Sequence, residues 1–365
     1  MPTMIYHVPF PLQPDGTSAS QIRPAKMREA FKNIGYSVIE VSGYAKERSK
    51  KMRFLERKIR GGLKIDFVYS EAASIPTSFT EPKHFPLHMF LDRRFFRFLH
   101  NRNIPIGVFY RDVYWVFPEY TEVTGKAVAA VMRRLYIWDI ATYNRFAKVL
   151  FLPSVKMAPF IPSLDAPRII ALPPGAPVRT DSDQPKDKNA PLRLLYVGNV
   201  GGSHYRISAL LEALKDNPHA SLKIVTRKEE WEKARSQYGE LIGQNVAVVH
   251  ETPDKLDPHY RNADIAMLFV EPQEYRDFAV PFKLFEYLGY GKPVIASDKT
   301  FAGDLISQSG SGWTIPYSSQ ALSDLLAQLI EEPETVVVAT NKARELGAAN
   351  SWENRAREVA AALTS

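Results

Sequence analysis

Two Rossmann-like, doubly wound parallel sheets in one α/β chain are what this sequence predicts, and three observations carry the prediction. Short apolar runs suited to buried strands alternate with helix-length amphipathic segments in both halves. The charge balance reverses near the middle: residues 1–180 hold 27 Lys and Arg against 14 Asp and Glu (net +13), and residues 181–365 hold 20 against 26 (net −6). A stretch rich in Pro, Asp and Lys and poor in large apolar residues, 171–193, lies where the sign changes. The expected organisation is one domain over 1–180 and a second over 181–350. They are expected to face each other across a ligand cleft lined by loops at the carboxyl ends of the strands.

The elements follow in order. In the first half "TMIYHVPF", "YSVIEVS", "KIDFVYS", "IPIGVFYRDV", "KVLFLPS" and "RIIALPP" read as strands, with "SQIRPAKMREAFKNIG" as a helix between the first two. In the second half the strands are "LRLLYVGNV", "SLKIVTR", "VAVVHET", "DIAMLFV", "PVIAS" and a short one near "GWTIPY". Between them "ISALLEALKD", "EEWEKARSQYGELIG", "DPHYRNA", "PFKLFEYLGYG" and "SQALSDLLAQLIEEP" carry helical periodicity. There is no short internal repeat and no low-complexity tail.

Composition excludes several classes. The 365 residues contain no cysteine, which removes disulfide and thiolate chemistry and fits a reducing compartment. No window of about 18 apolar residues is free of charge, so no transmembrane helix is expected. The first residues lack the basic start and apolar run of a signal peptide. A cytoplasmic protein, peripheral on the inner face of the plasma membrane, is the expected location. The eight histidines show no metal spacing, and no metal or cofactor is expected. The "DSD" run at 181–183 has no buried strand before it.

Five constellations could carry chemistry. "YVGNVGGSHYR" sets Gly198, Gly201 and Gly202 between a buried strand and a helix, where backbone N–H groups can approach an anion or simply form a flexible turn. In "PFKLFEYLGYGKPVIAS" Pro281 suits a first helical turn, with Lys283 and Glu286 on one face. That pair is either a surface ion pair or a site. A cation near a helix N-terminus opposes the macrodipole and is best tolerated beside an anion such as phosphate, while a carboxylate can accept two sugar hydroxyls. "IPIGVFYRDVYW" delivers Arg111 and Asp112 at a strand end with Tyr114 and Trp115 beyond, a local ion pair or a sugar-binding set of carboxylate and aromatic faces. The loop around Gly16, with Thr17, Ser18 and Ser20 before a helix, could meet a ligand or only cap that helix. Lys46 to Arg60 holds eight Lys and Arg against two Glu with a partial apolar stripe, either a solvated helix or a contact with an anionic membrane or phosphorylated acceptor. No signature for nucleic acid accompanies it.

With these residues assembled, the chain resembles the GT-B glycosyltransferases, and particularly the retaining family 4 group. "AVPFKLFEYLGYGKPVIAS" is similar to the end of that group's E-x7-E region, with Glu286 on the second glutamate and Gly291, Pro293 and Ser297 on its Gly, Pro and Ser. "VGNVGG" stands where the group has its glycine loop, and "RFAKVLFLPS" and "IIALPPGAP" resemble the end of its first domain. "SWENRAREVAAAL" resembles the last helices, which in that fold cross back, so 351–365 is expected on the first domain. The resemblance implies a hexosyltransferase that uses a nucleoside-diphosphate sugar, UDP-sugar first, and a glycan, glycolipid or other cell-surface acceptor, with retention. The donor would meet Gly16, Gly198, Asn199, Gly201, Gly202, Arg206, Val280, Pro281, Lys283 and Glu286. The acceptor would meet Arg111, Tyr114 and Trp115, and catalysis would rest on Asp112 and Lys283. The chain departs from the group at Phe278, in the place of the first glutamate, and at Asn199, in the place of an arginine. A non-hydrolysing nucleotide-sugar epimerase and a non-catalytic anion-binding or membrane-surface protein are the rival readings.

Overall fold

The computed structural model of the chain describes residues 1–13, 16, 18–84, 88–179, 190–201, 206–215 and 217–365. Gly202, Thr17, residues 181–183 and the expected boundary at 180/181 lie outside the described residues.

The chain divides into two compact units, Met1–Pro174 with Trp352–Ser365, and Gly175–Ser351. The first unit runs β1 (Thr3–His7), α1 (Ala19–Asn33), β2 (Ser37–Val41), α2 (Ala45–Arg60), β3 (Phe67–Glu71), α3 (Leu91–His100), β4 (Ile106–Phe109), α4 (Pro118–Thr124), α5 (Lys126–Phe146), β5 (Val149–Leu152) and β6 (Ile169–Ala171). The second runs β7 (Leu192–Val197), α6 (Ser208–Leu214), β8 (Ala220–Val225), α7 (Lys228–Tyr238), β9 (Val246–Val249), α8 (Asp257–Asn262), β10 (Ile265–Leu268), α9 (Glu274–Phe278), α10 (Phe282–Gly289), β11 (Val294–Ser297), α11 (Phe301–Ser309), β12 (Gly312–Ile315), α12 (Ser319–Glu331) and α13 (Pro333–Ala349). The chain then re-enters the first unit as α14 (Trp352–Thr364).

Both sheets are six-stranded and parallel throughout. Their orders differ. In the first unit it is β2-β1-β3-β4-β5-β6, so the direction of winding changes between β1 and β3. In the second it is β12-β11-β10-β7-β8-β9, the doubly wound order with its change between β7 and β10. The crevice at the carboxyl ends of strands flanking such a change is where open α/β sheets take ligands.

Strand sequences that are apolar on both faces explain this burial. In β7, Leu194 and Tyr196 join the core layer beneath α6 and α12, while Leu195 and Val197 join the opposite layer beneath α10 and α13. In the first unit α14 lies against α1, β3 and β4. Gly107 in β4 makes room for it: a Cβ there would stand 2.7 Å from the Phe151 ring and 2.9 Å from Leu363. Helices α3, α5 and α13 extend the alternation beyond the segments the sequence marked. Among the described residues, no helix is long and apolar enough to cross a membrane.

Candidate functional site

The winding change of the second unit gathers several residues singled out in the sequence. Strand β7 ends at Val197 and leads into Gly198, Asn199 and Gly201. The Val197 N–H donates to the Tyr287 hydroxyl (2.9 Å), which pins α10 to the end of this strand. Pro281 stands just before α10 with φ −68°, as its N-cap, so Lys283 is the second helical residue. Val280 packs on the core beneath.

Lys283 and Glu286 form an ion pair one turn apart, with side chains 30% and 19% exposed. The Tyr260 hydroxyl from α8 donates to the same Glu286 oxygen, Oε2 (2.9 Å), and accepts from Lys283 Nζ (3.2 Å). Burial first, and then the Glu286 charge, push the Tyr260 phenol far above its ordinary range, so it remains a donor. Tyr260 stacks on Tyr290 (centroids 4.5 Å apart), whose hydroxyl donates to Asp257 (2.8 Å). Glu286 Oε1 has no hydrogen-bond partner among the described residues. A half-buried carboxylate held from one side by an ammonium and a phenol can offer its other oxygen to a ligand hydroxyl.

The loop itself is more engaged than the sequence suggests. The Gly201 N–H donates to the Asn199 side chain (2.9 Å), and the Asn199 carbonyl accepts from Tyr196 Oη (2.5 Å). The Gly201 amide is therefore occupied, and an anion would reach it only if Asn199 turned away. Arg206 pairs with Glu271 (3.2 Å), which follows β10 on the other side of the winding change. Phe278, in the place of the group's first glutamate, is buried against Tyr275 (centroids 5.2 Å apart).

The first unit corrects part of the sequence reading. Trp115 is 3% exposed, stacked on Tyr136 at 4.7 Å and bonded through Nε1 to the Tyr110 hydroxyl (2.7 Å). It is a core side chain, and its ring is not a platform for a sugar. Arg111 is turned inward, bonded to the Ala72 carbonyl (3.0 Å) and to fully buried Glu71 (3.4 Å), and burial lowers its ordinarily high pKa. It serves an internal charge cluster and not an exposed acceptor. Asp112 Oδ1 accepts from the N–H groups of Val113 (2.7 Å) and Tyr114 (3.0 Å), which orients its carboxylate just beyond β4. Tyr114 is half-buried and edge-on to Tyr120. Gly16 lies beside the capping box of Ser18 and Gln21 at the start of α1. In the Lys46 to Arg60 run, Arg48 is 1% exposed and clamps Asp92, while Lys46, Lys50, Arg53 and Lys58 point to solvent.

Sequence reasoning missed the buried polar line at the winding change of this unit. Ser70 Oγ meets His7 Nδ1 (2.8 Å), His7 Nε2 meets Asp92 (2.9 Å), and Arg48 grips Asp92 through Nε and Nη2 (3.2 and 3.0 Å). Burial alone would raise the Asp92 carboxyl, but the Arg48 charge and the His7 bond outweigh it and hold the group below the usual carboxylate range. Ser70 is too enclosed to act as a nucleophile, and the adjoining cavity of about 20 Å³ has room for about one water. Asp139 lines the same cavity and accepts from the Thr77 N–H (2.7 Å); burial pushes its carboxyl up to about 7. Residues so far apart in the chain share no motif spacing that a sequence could display.

Among the described residues, no group of three or more His, Cys, Asp or Glu could hold a metal ion.

Residues 178–346 match the family Glycosyl transferases group 1. This spans the second unit and includes the Gly198 loop and α10. No curated protein matches at the level of sequence. Among solved structures, sucrose-phosphate synthase from Thermosynechococcus elongatus is 14% identical with a TM-score of 0.63 over 98% of this chain and 97% of that one. Anabaena HepE in complex with UDP and glucose is 15% identical with a TM-score of 0.62 over 100% of both chains. WaaG, a glycosyltransferase involved in lipopolysaccharide biosynthesis, is 15% identical with a TM-score of 0.54 over 100% of both. At these identities the likeness is one of fold: two Rossmann-like units, the GT-B type.

Proposed function

We propose that the protein is a nucleotide-sugar-dependent hexosyltransferase whose second unit holds a nucleoside-diphosphate sugar, a UDP-sugar by preference. One observation carries the reading. The Lys283 and Glu286 pair on α10, joined by Tyr260 from α8, stands beside the Gly198 loop, within the segment that matches the glycosyltransferase family. On this reading Glu286 takes ribose hydroxyls through Oε1, and Lys283 stabilises the charge that builds on the departing diphosphate. Gly198, Asn199 and Gly201 shape the loop beside it, Arg206 supplies a second cation, and Val280 and Pro281 set the approach of the backbone. HepE, similar in fold, has been seen with UDP and with UDP-glucose.

On this reading the first unit takes the acceptor, a glycan or glycolipid, with Asp112 and Tyr114 as the residues that would meet it. Transfer proceeds with retention, a diphosphate oxygen of the donor taking the acceptor proton on the same face. Asp112 would be the base if the product were inverted. No metal enters this scheme, and the Lys283 ammonium takes its electrostatic part.

Incubation with UDP-glucose, UDP-galactose and UDP-N-acetylglucosamine tests the reading. UDP release, followed by NMR of the product's anomeric carbon, is expected with one donor. An epimerised nucleotide sugar without release would mark an epimerase, and silence with every donor, together with no UDP binding, would remove the enzyme reading.

A further inference from the structure

The outer face of the first unit leaves a run of apolar side chains open to water. Helix α5 is 21 residues long and buries Met132, Tyr136 and Ile140 on its inward side. Its outward side is not the polar surface that a helix at the edge of a fold normally presents. Val131 is 54% exposed, and Ile137, Trp138 and Ala141 are exposed on the same face, at the three- and four-residue spacing that stacks side chains along one stripe. Phe90, just before α3 and 57% exposed, widens the patch. Its ring meets Trp138 edge-on, with centroids 5.8 Å apart. A continuous exposed patch of this kind marks a contact surface.

Charge decides what the face fits. Arg134 and Arg145 on α5 and Arg94 and Arg97 on α3 are exposed, and none of these four side chains has a hydrogen bond or ion pair among the described residues. Arg93 lies over the Trp138 ring (4.9 Å) and donates to Thr142 (2.9 Å). The acids of both helices are turned inward: Asp92 is held by Arg48 and Asp139 by the Thr77 N–H. Glu122, exposed on α4, comes just before α5 in the chain. A second copy of the chain fits badly, because a two-fold contact would set these arginines against their counterparts. An anionic lipid surface fits both features: apolar side chains enter the boundary of headgroup and acyl chain, and arginines meet the phosphates. Helix α2 carries more charge but lacks this pairing. Met52 and Leu55 of its apolar stripe are buried, and Phe54 is its one large apolar side chain left exposed.

We propose that α5 and the start of α3 form a membrane-docking face, with Phe90, Val131, Ile137 and Trp138 entering an anionic leaflet and the four arginines at its phosphates. The inference rests on the first unit alone and does not depend on the donor assignment.

Vesicle sedimentation of the full chain tests it, with phosphatidylcholine alone and with an equal mixture of phosphatidylglycerol and phosphatidylcholine. Capture by the anionic vesicles is expected to be at least tenfold stronger. Val131→Glu and Ile137→Glu change exposed positions, so their melting curves should match the parent. Each is expected to weaken capture at least tenfold while leaving UDP binding within twofold. The pair Lys50→Gln and Arg53→Gln on α2 reads attraction by charge alone and should change capture less than threefold. Anionic vesicles with brominated acyl chains should quench the tryptophan fluorescence of the parent and quench that of Trp138→Phe far less. The proposal is overturned if phosphatidylcholine captures the chain as well as the anionic mixture does, or if both folded glutamate variants are captured like the parent. Loss of capture in the α2 pair alone, or a parent dimer that either glutamate variant dissolves, would overturn it equally.

Discussion

Glu286→Gln separates a ribose-binding carboxylate from an ordinary helix ion pair. The substitution keeps size and one acceptor oxygen but removes the charge. In the structure Oε2 is already shared by Lys283 and Tyr260, so the loss falls on the bond that Oε1 would make to a ribose hydroxyl. A hydrogen bond to a charged group is worth about 1.5–3 kcal/mol, so UDP should bind roughly 10- to 150-fold more weakly. Stability should change by less than about 1 kcal/mol, because the Lys283 pair is partly solvated. Calorimetry with UDP and with 2′,3′-dideoxy-UDP reads the difference. The dideoxy ligand should bind parent and variant alike, having nothing for Oε1 to hold. An unchanged affinity for UDP, or an equal loss for the dideoxy analogue, would refute the assignment.

Four further outcomes follow from the same geometry. Lys283→Met should weaken UDP tenfold or more yet leave uridine binding unchanged, since the ammonium is assigned to the phosphates; competition titration checks this. Asp92→Asn leaves the buried Arg48 guanidinium only the more distant Glu81 carboxylate (3.9 Å) and should lower stability by about 3 kcal/mol in urea unfolding. Because the folded Asp92 carboxyl lies below its ordinary value, its contribution is present above about pH 4 and lost as pH falls, so the variant should show a flatter acid limb. Asp139→Asn should do the reverse: a carboxyl at about 7 in the folded chain and about 4 unfolded costs stability progressively from pH 4 to 7. The variant should match the parent near pH 4 and exceed it by as much as ~4 kcal/mol at pH 8, by urea unfolding at each pH. Gly347→Ala would drive a Cβ into the Leu288 carbonyl of α10, at an expected loss of about 1–3 kcal/mol in the melt together with weaker UDP binding, because α10 carries Lys283 and Glu286.

Every strand of both sheets was legible, because parallel strands covered on both faces read as apolar runs such as "LRLLYV" and "PVIAS". The linear part of the site was legible too: Lys283 and Glu286 lie one turn apart on a single helix. Tyr260 was not, since it arrives from α8, 23 residues away from Lys283 in sequence, and its role exists only through a contact. Trp115 misled for a physical reason. An aromatic just after a strand end suits both a sugar platform and a core, and only the Tyr136 ring laid over it decides. Likewise the basic run of α2 read either as a solvated helix or as a contact with an anionic membrane or phosphorylated acceptor, whereas Arg48 leaves the surface to serve Asp92.

The return of residues 352–365 to the first unit bears on how the chain is made. The second unit is continuous from 175 to 351 and can close its core while synthesis continues. The first unit cannot: the surface of β3 and β4 that α14 covers waits for the whole of the second to be translated. At ~5–20 residues per second that interval is on the order of 10–35 s, during which this apolar surface is open to water and to chaperones. A nonsense mutation just before codon 352 would therefore leave a complete second unit joined to a first unit that lacks one of its helical covers.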